Sequence, residues 1–370
     1  MATWLDVSAP VFNIEFDYDL GVSSLTADFS NLMGADDPSL SVAIPWRDCW
    51  AEIMDKVPET GGQVVWLDGE YVVSKTMEIT KNRVHVSGQG EGTKFKLKAG
   101  IDNHTHCFYA SHKTGIKISD LLIDGNKNNQ NELGYLHHGV SLYYCEKYEL
   151  NRLIIENFIT TCIYDSHGVN GSIESCVTHN SDDEGIMMSY SSYVSVKNNN
   201  IRGNLKRGLY MSNCEHCSVV GNVIDQIGSL HEGLAVWWSN NNVFSSNTIN
   251  GCGGSGAYIS ASKYNNFIGN TFNDNAYEGL QLAGYAEIES SHNIISGNIC
   301  IGNGSNGIYI NGSYNNLQNN KCYNNGYYGI YISWVNGVNN LVTNNDLIDN
   351  VAGGLMDFGT GTITTAGNRV

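Results

Sequence analysis

Short stretches of the chain carry residues with chemistry to offer. In TTCIYDSHGV, Asp165 and His167 stand two apart and leave one face of an extended strand, while Cys162, Tyr164 and Ser166 leave the other. A carboxylate beside an imidazole is an acid–base arrangement. In SDDEG, Asp182, Asp183 and Glu184 offer general acids or calcium ligands, or simply three solvated turn acids. Lys206 and Arg207, with Lys197 and Arg202 near them, form the local basic patch that a polyanionic ligand needs. Two other motifs offer less. Cys214-Glu-His-Cys217 has no second cysteine pair at zinc-finger distance, and GQGEG at 88–92 reads as a turn between strands, not a phosphate loop before a helix.

What must position these residues is a repeat. A Gly followed by alternating apolar residues returns as Gly185-IMMS, Gly208-LYMS, Gly233-LAVW, Gly256-AYIS, Gly279-LQLA, Gly307-IYIN, Gly329-IYIS and Gly354-LMDF, in steps of 23, 25, 23, 23, 28, 22 and 25. A second series, Asn199, Asn222, Asn247, Asn270, Asn298, Asn320 and Asn345, keeps the same irregular steps. A period in the twenties belongs to solenoids. Leucine-rich repeats need a Leu-dense consensus and a convex helix, and this chain has neither, so the pattern predicts a parallel β-helix. One parallel crossover follows another, which makes it right-handed. Equivalent residues of successive coils then stack about 4.8 Å apart, and the Asn column becomes a ladder of amides at one bend. Upstream, Gly139-VSLY lies two coils before Gly185, and PWRDCWAEIMDKV (45–57) reads as a short amphipathic helix that caps the first coil. The expected organisation is an extended segment over residues 1–44, of no assignable role, followed by one β-helix over 45–370.

Within each Gly strand the second and fourth residues after Gly face outward. These columns contain Ser141/Tyr143, Met187/Ser189, Tyr210/Ser212, Ala235/Trp237, Tyr258/Ser260, Gln281/Ala283 and Tyr309/Asn311, an aromatic stripe that suits sugar rings and also suits plain β stacking. Tyr210, Trp237, Lys206 and Arg207 are expected to line one groove. The irregular coil at 161–168 has two registers. If Ile163 stands where Gly stands elsewhere, Asp165 and His167 face outward beside Tyr143. If Cys162 stands there, the pair points into the core, where it is costly. The first register is the cheaper and is the expectation. The column before Gly holds His138, Glu184, Arg207 and Glu232, so Glu184 and Arg207 should meet one coil apart, as a charge ladder or as part of the basic patch.

Composition bounds the rest. Forty-one Gly against four Pro, with 21 Tyr, favour an all-β chain with frequent bends. A net charge of −17 disfavours nucleic acid and anionic membrane as partners. No apolar run approaches a membrane span, and the opening MATWLDVSAP shows no export signal. The ten Cys are scattered over the chain, several at apolar strand positions, and read mostly as small buried hydrophobes.

ISDLLIDGNKNN (118–129) and YDSHGVNGSIESCVTHNSDDEGIMMS (164–189) resemble the catalytic modules of mannuronan C5-epimerases, relatives of pectate and alginate lyases; the resemblance covers roughly 45–350. Where that family has a Tyr three residues before the Asp and a second Asp ending the next strand, this chain has Cys162 and Ser189. The resemblance implies a uronate polymer, an acidic polysaccharide, as substrate. Lys206, Arg207 and Lys127 would offset the sugar carboxylate, and His167 would remove the C5 proton with Asp165 orienting its ring. Tyr143, or else Tyr164, would return a proton. Epimerisation is expected ahead of β-elimination. The resemblance implies no organic cofactor, adds calcium as a candidate metal, and points to an extracellular or virion-associated protein. The alternatives are glycoside hydrolysis by paired carboxylates such as Asp182 and Asp183, and a glycan-binding or virion fibre protein without catalysis.

Overall fold

The computed structural model describes residues 11–16, 24–27, 44–130, 134, 136–285, 288–333, 336–364 and 367–370. The Gly strands form one sheet of twelve, from Met77–Ile79 to Gly353–Asp357. Each strand pairs in parallel with its counterpart one coil away: Ile186–Ser189 sits on Leu209–Ser212, which sits on Leu234–Trp237. Two further strands per coil, such as Ser195–Lys197 and Asn200–Arg202, stack in the same way and close the solenoid wall. The chain is thus an all-β parallel β-helix, as the repeat predicts.

Alternation decides which side chains fill the interior. Ile186, Met188, Leu209, Met211, Leu234 and Val236 are buried, while Met187 and Tyr210 between them are part-exposed on the outer side and Ala235, in the same outward column, is covered by its neighbours. The Gly column is a matter of space: a Cβ on Gly208 would lie 2.4 Å from the Ile224 side chain and 2.7 Å from the Gly233 carbonyl. Along another column the Phe244 and Phe267 rings stack at 4.7 Å. Nine cysteines, from Cys107 to Cys322, are free and buried, as small hydrophobes would be.

The Asn column is a continuous ladder. Asn199 Nδ2 donates to Asn222 Oδ1 (2.9 Å), Asn222 to Asn247 (3.0 Å), Asn247 to Asn270 (2.9 Å), and so on to Asn368. Each amide also donates to a backbone carbonyl and accepts a backbone N–H, so these buried polar groups are satisfied. A second ladder runs Asn275–Asn303–Asn325–Asn350 and a third includes Asn242–Asn265 and Asn293–Asn315.

At the N-terminal end, the helix Trp46–Lys56 covers the first coil. Trp50 stacks on Trp66 (6.4 Å) and meets Phe108 edge-on (6.0 Å). Of the segment 1–44, Val11–Phe16 adds a parallel strand to Gly62–Trp66, and Ser24–Ala27 pairs antiparallel with it; most of the rest lies outside the described residues. GQGEG lies within one long bulged strand, Val84–Leu97, and not in a turn between two. Among the described residues no helix is long and apolar enough to cross a membrane.

Candidate active site

The irregular coil takes the register that was not expected. Val140 pairs with Ile163 and Leu142 with Asp165, so Cys162, not Ile163, stands in the Gly column. The reason is size: a crowded column takes a buried Cys more readily than a β-branched Ile. Asp165 therefore points into the core and is 0% exposed. Room for it comes from Gly168, where a Cβ would lie 2.3 Å from an Asp165 carboxylate oxygen. Neither Asp165 oxygen makes a hydrogen bond, nor does the buried Tyr148 hydroxyl. Burial pushes the carboxyl up to about 6, the nearby Ser191 and Tyr148 hydroxyls limiting the rise. Asp165 cannot serve as the surface orienter of His167.

His167 sits at the bend after Ile163–Ser166 with φ 58°, half-buried. Its ring is stacked between Tyr144 (4.1 Å) and Tyr190 (5.0 Å), and its Nδ1 lies 2.9 Å from the Ser166 hydroxyl. Tyr143 pairs with Ser166, one position short of the column expected for it. Its ring still meets His167 edge-on at 5.9 Å, so these two candidates are together.

The other candidates gather at the opposite end of the same strands. The column before Gly stacks His138, Thr161, Glu184, Arg207 and Glu232. Arg207 donates from Nη1 to Glu184 Oε1 (3.3 Å) and from Nε to Glu232 Oε2 (3.2 Å), while the Thr161 hydroxyl donates to Glu184 Oε2 (3.4 Å). Lys206 pairs with Asp183 (2.8 Å) and Lys127, in the turn Lys127–Asn129, with Asp182 (2.8 Å). The Arg207 guanidinium lies 4.9 Å from the Tyr210 ring centre and 5.5 Å from that of Trp237. Tyr164 stacks on His138 at 5.1 Å. Lys127, Lys206, Arg207, Tyr164 and Tyr210 thus lie toward one edge, while Trp237 stands in the column of Tyr143 and Ser166 and is reached by the Arg207 side chain. From Glu184 to Tyr190 the chain spans six residues, about 20 Å when extended, so this edge is well removed from His167.

Electrostatics separate two neighbouring acids. Glu184 is 5% exposed; burial, then the Asp183 carboxylate sharing a hydrogen bond with it, push it up to about 7 against the pull of Arg207. For Asp183, burial is opposed and outweighed by the hydrogen bonds of Glu184 and Lys206, which hold it below the usual carboxylate range. Near neutrality Asp183 is therefore ionised, while Glu184 stands in the range where it can hold and give up a proton. Glu184 and Arg207 meet one coil apart, as the column predicts, but with Glu184 buried and not as a surface ladder. Their adjacency was legible, but their burial under neighbouring coils was not.

The basic patch is not free, because each of Lys127, Lys206 and Arg207 already holds a carboxylate. The same pairing bears on calcium. Among the described residues no group of three or more His, Cys, Asp or Glu side chains is arranged to hold a metal, and the acids at 182–184 face protein cations, so these residues do not fit the ion. Cys214 and Cys217 are buried, and burial raises both thiols, which leaves neither metal nor redox character.

The family described as "Right handed beta helix region" matches residues 71–249, 138–289 and 239–370. The chain belongs to that family, and its helix is right-handed. A comparison with curated protein sequences finds no significant match. Among solved structures, the A-module of mannuronan C-5 epimerase AlgE6 from Azotobacter vinelandii is similar with a TM-score of 0.56 at 19% identity, over 83% of this chain and 91% of that one. The Dettilon tailspike protein has a TM-score of 0.65 at 14% identity, over 87% and 66%. The catalytic domain of an α-1,3-glucanase gives the same TM-score, identity and coverages. These likenesses show the fold.

Proposed function

We propose that the protein is a polysaccharide-acting enzyme that cleaves glycosidic bonds on the outer face of the twelve-stranded sheet. The observation that carries this reading is the pair Asp183–Glu184, whose environments shift two adjacent carboxyls in opposite directions beside an aromatic surface. Glu184 gives its proton to the leaving glycosidic oxygen as the C–O bond breaks. Asp183 keeps that proton on Glu184 beforehand. Glu232, held by the same Arg207 guanidinium from two coils away, takes a proton from the attacking water. Tyr210, Trp237 and Tyr164 supply ring faces for sugars. The solved relatives with this fold include a glucanase domain and an alginate-modifying module, which supports a polysaccharide substrate in general terms. On this reading the protein works outside the cell or on a virion.

A second reading, uronate epimerisation or β-elimination at His167 and Tyr143, is favoured by their ring contact at the opposite edge. His167 would take the C5 proton and Tyr143 would return one. One experiment addresses both. The protein is incubated with neutral glucans, polymannuronate, polyguluronate and pectin in D2O, and reducing ends, absorbance at 232 nm and proton NMR are recorded. Reducing ends without a chromophore, lost in Glu184→Gln, support hydrolysis. Deuterium at C5, with or without the chromophore and lost on replacing His167, moves the function to the second reading.

A further inference from the structure

The carboxylate row does not end at Glu232. Two coils further along, Glu278 occupies the same column, with Ser255 between them. Unlike Asp182, Asp183, Glu184 and Glu232, it pairs with no Lys or Arg among the described residues. Its partners are neutral: the Ser305 hydroxyl donates to Oε1 (2.7 Å), the Asn306 amide to Oε1 (3.3 Å), and the Ser255 hydroxyl to Oε2 (3.3 Å). That same Ser255 hydroxyl lies 3.0 Å from Gln281 Oε1. A serine has one proton to give: donated to Gln281 Oε1 it leaves Glu278 Oε2 open to a ligand, and donated to Glu278 it leaves the Gln281 carbonyl oxygen open instead.

The cluster also has a platform. Gln281 stands in the outward column between Tyr258 on one coil and Tyr309 on the next. Tyr309 stacks on Tyr331 at 5.4 Å, and Tyr258 meets Trp237 at 6.3 Å, which joins this surface to the rings beside Arg207. A ligand lying along this face from Glu184 would pass Glu232 and then reach Glu278.

We infer that Glu278, Gln281 and Ser255, flanked by Tyr258 and Tyr309, form a subsite for a neutral sugar residue that donates its hydroxyls to the surplus acceptors. The inference rests on the reading of this face as a polysaccharide groove and names the substrate class: a glycan whose residue at this position is uncharged. A uronate there would set its carboxylate against Glu278 with no cation to separate them, and it has fewer protons to give. Sugar hydroxyls donating to an ionised carboxylate make the stronger, charge-assisted kind of hydrogen bond.

The test uses the whole chain on an array of neutral gluco-, manno- and galacto-oligosaccharides and of oligomannuronates and oligogalacturonates, with affinities of the best members measured by calorimetry. Wild type should bind a neutral oligosaccharide, and Glu278→Gln should weaken that by about tenfold while improving uronate binding. Gln281→Ala should weaken the neutral ligand only. A wild type that prefers uronates, binds nothing on the array, or is indifferent to Glu278→Gln overturns the subsite. Glu184→Gln separates the two claims. If it abolishes turnover while Glu278→Gln leaves affinity unchanged, the subsite fails and the catalytic reading stands. If binding depends on Glu278 but nothing is turned over, the reverse holds.

Discussion

Asp165 and Glu184 are buried acids on neighbouring coils, and each is held above the usual carboxylate range, at about 6 and about 7. Their causes differ. Asp165 rises through burial alone, in an apolar interior with only hydroxyls near it. Glu184 rises through burial and a neighbouring carboxylate, while Arg207 and Lys206 pull the other way. The first acid fills the space over a glycine; the second belongs to a row of alternating charges at the edge of an aromatic face. A raised pKa therefore does not mark a site by itself. The company of other charged groups, and a face from which substrate can approach, separate a proton donor from a filler.

That comparison breaks first at Glu184. Glu184→Gln should lower the rate of glycan cleavage by about a thousandfold, since it removes the general acid and little packing, whereas Asp165→Asn should leave the rate nearly unchanged. In the wild type the reducing-end rate should fall as pH rises through about 7, because the reaction needs the protonated acid, and Glu184→Gln should lack that limb. Equal loss in both variants would erase the distinction. The next largest effect sharpens the contrast between satisfied and unsatisfied buried polar groups. Asn247→Ala removes amide bonds to Asn222, Asn270 and the Val219 carbonyl, leaves their partners unpaired in the wall, and should cost about 4 kcal/mol in urea unfolding.

The Asn ladder and the Gly strands were legible in the sequence because stacking turns irregular spacing into coincidence: Gly279 to Gly307 and Asn270 to Asn298 both step by 28. The outward placement of Tyr210 and Trp237 followed from alternation alone, and the contact of Glu184 with Arg207 followed from column position. The register at 161–168 is set by the crowding of the Gly column, which outweighs the cost of burying Asp165. Cys162 was the smaller candidate, and Gly168 was the vacancy that admits the carboxylate. What no spacing could show is that Lys127, Lys206 and Arg207 are each matched by an acid of the turn at 182–184, since Lys127 reaches Asp182 from 55 residues away.

Asp165 gives the next test. Its folded pKa of about 6 lies above the value of 3.8 for an unburied carboxyl, so the folded state binds the proton more tightly. Its contribution to stability is fully present below about pH 4 and is lost as pH rises through about 6. Asp165→Asn removes the ionisation, so the variant should be more stable than wild type by about 3 kcal/mol at pH 8 and equal to it near pH 3.5. Thermal melts across that range measure the difference. A constant gap at all pH values would mean that Asp165 finds a partner when ionised, and would place it closer in kind to Glu184.

The smallest expected effect tests the other edge of the face. His167 occupies a left-handed bend in the column that also holds Tyr144, Tyr190 and Asn213, so asparagine is already used there and His167→Asn keeps the backbone comfortable. The substitution loses two ring stacks, with Tyr144 and Tyr190, and should cost about 1 kcal/mol of stability. Because Glu184 lies at the far end of the strand, glycan cleavage should change by no more than about threefold. Deuterium exchange into a uronate polymer is the sharper readout. If the wild type exchanges at C5 and His167→Asn does not, while Glu184→Gln exchanges normally, the two edges trade roles: the charged row becomes packing, and the stacked histidine becomes the base.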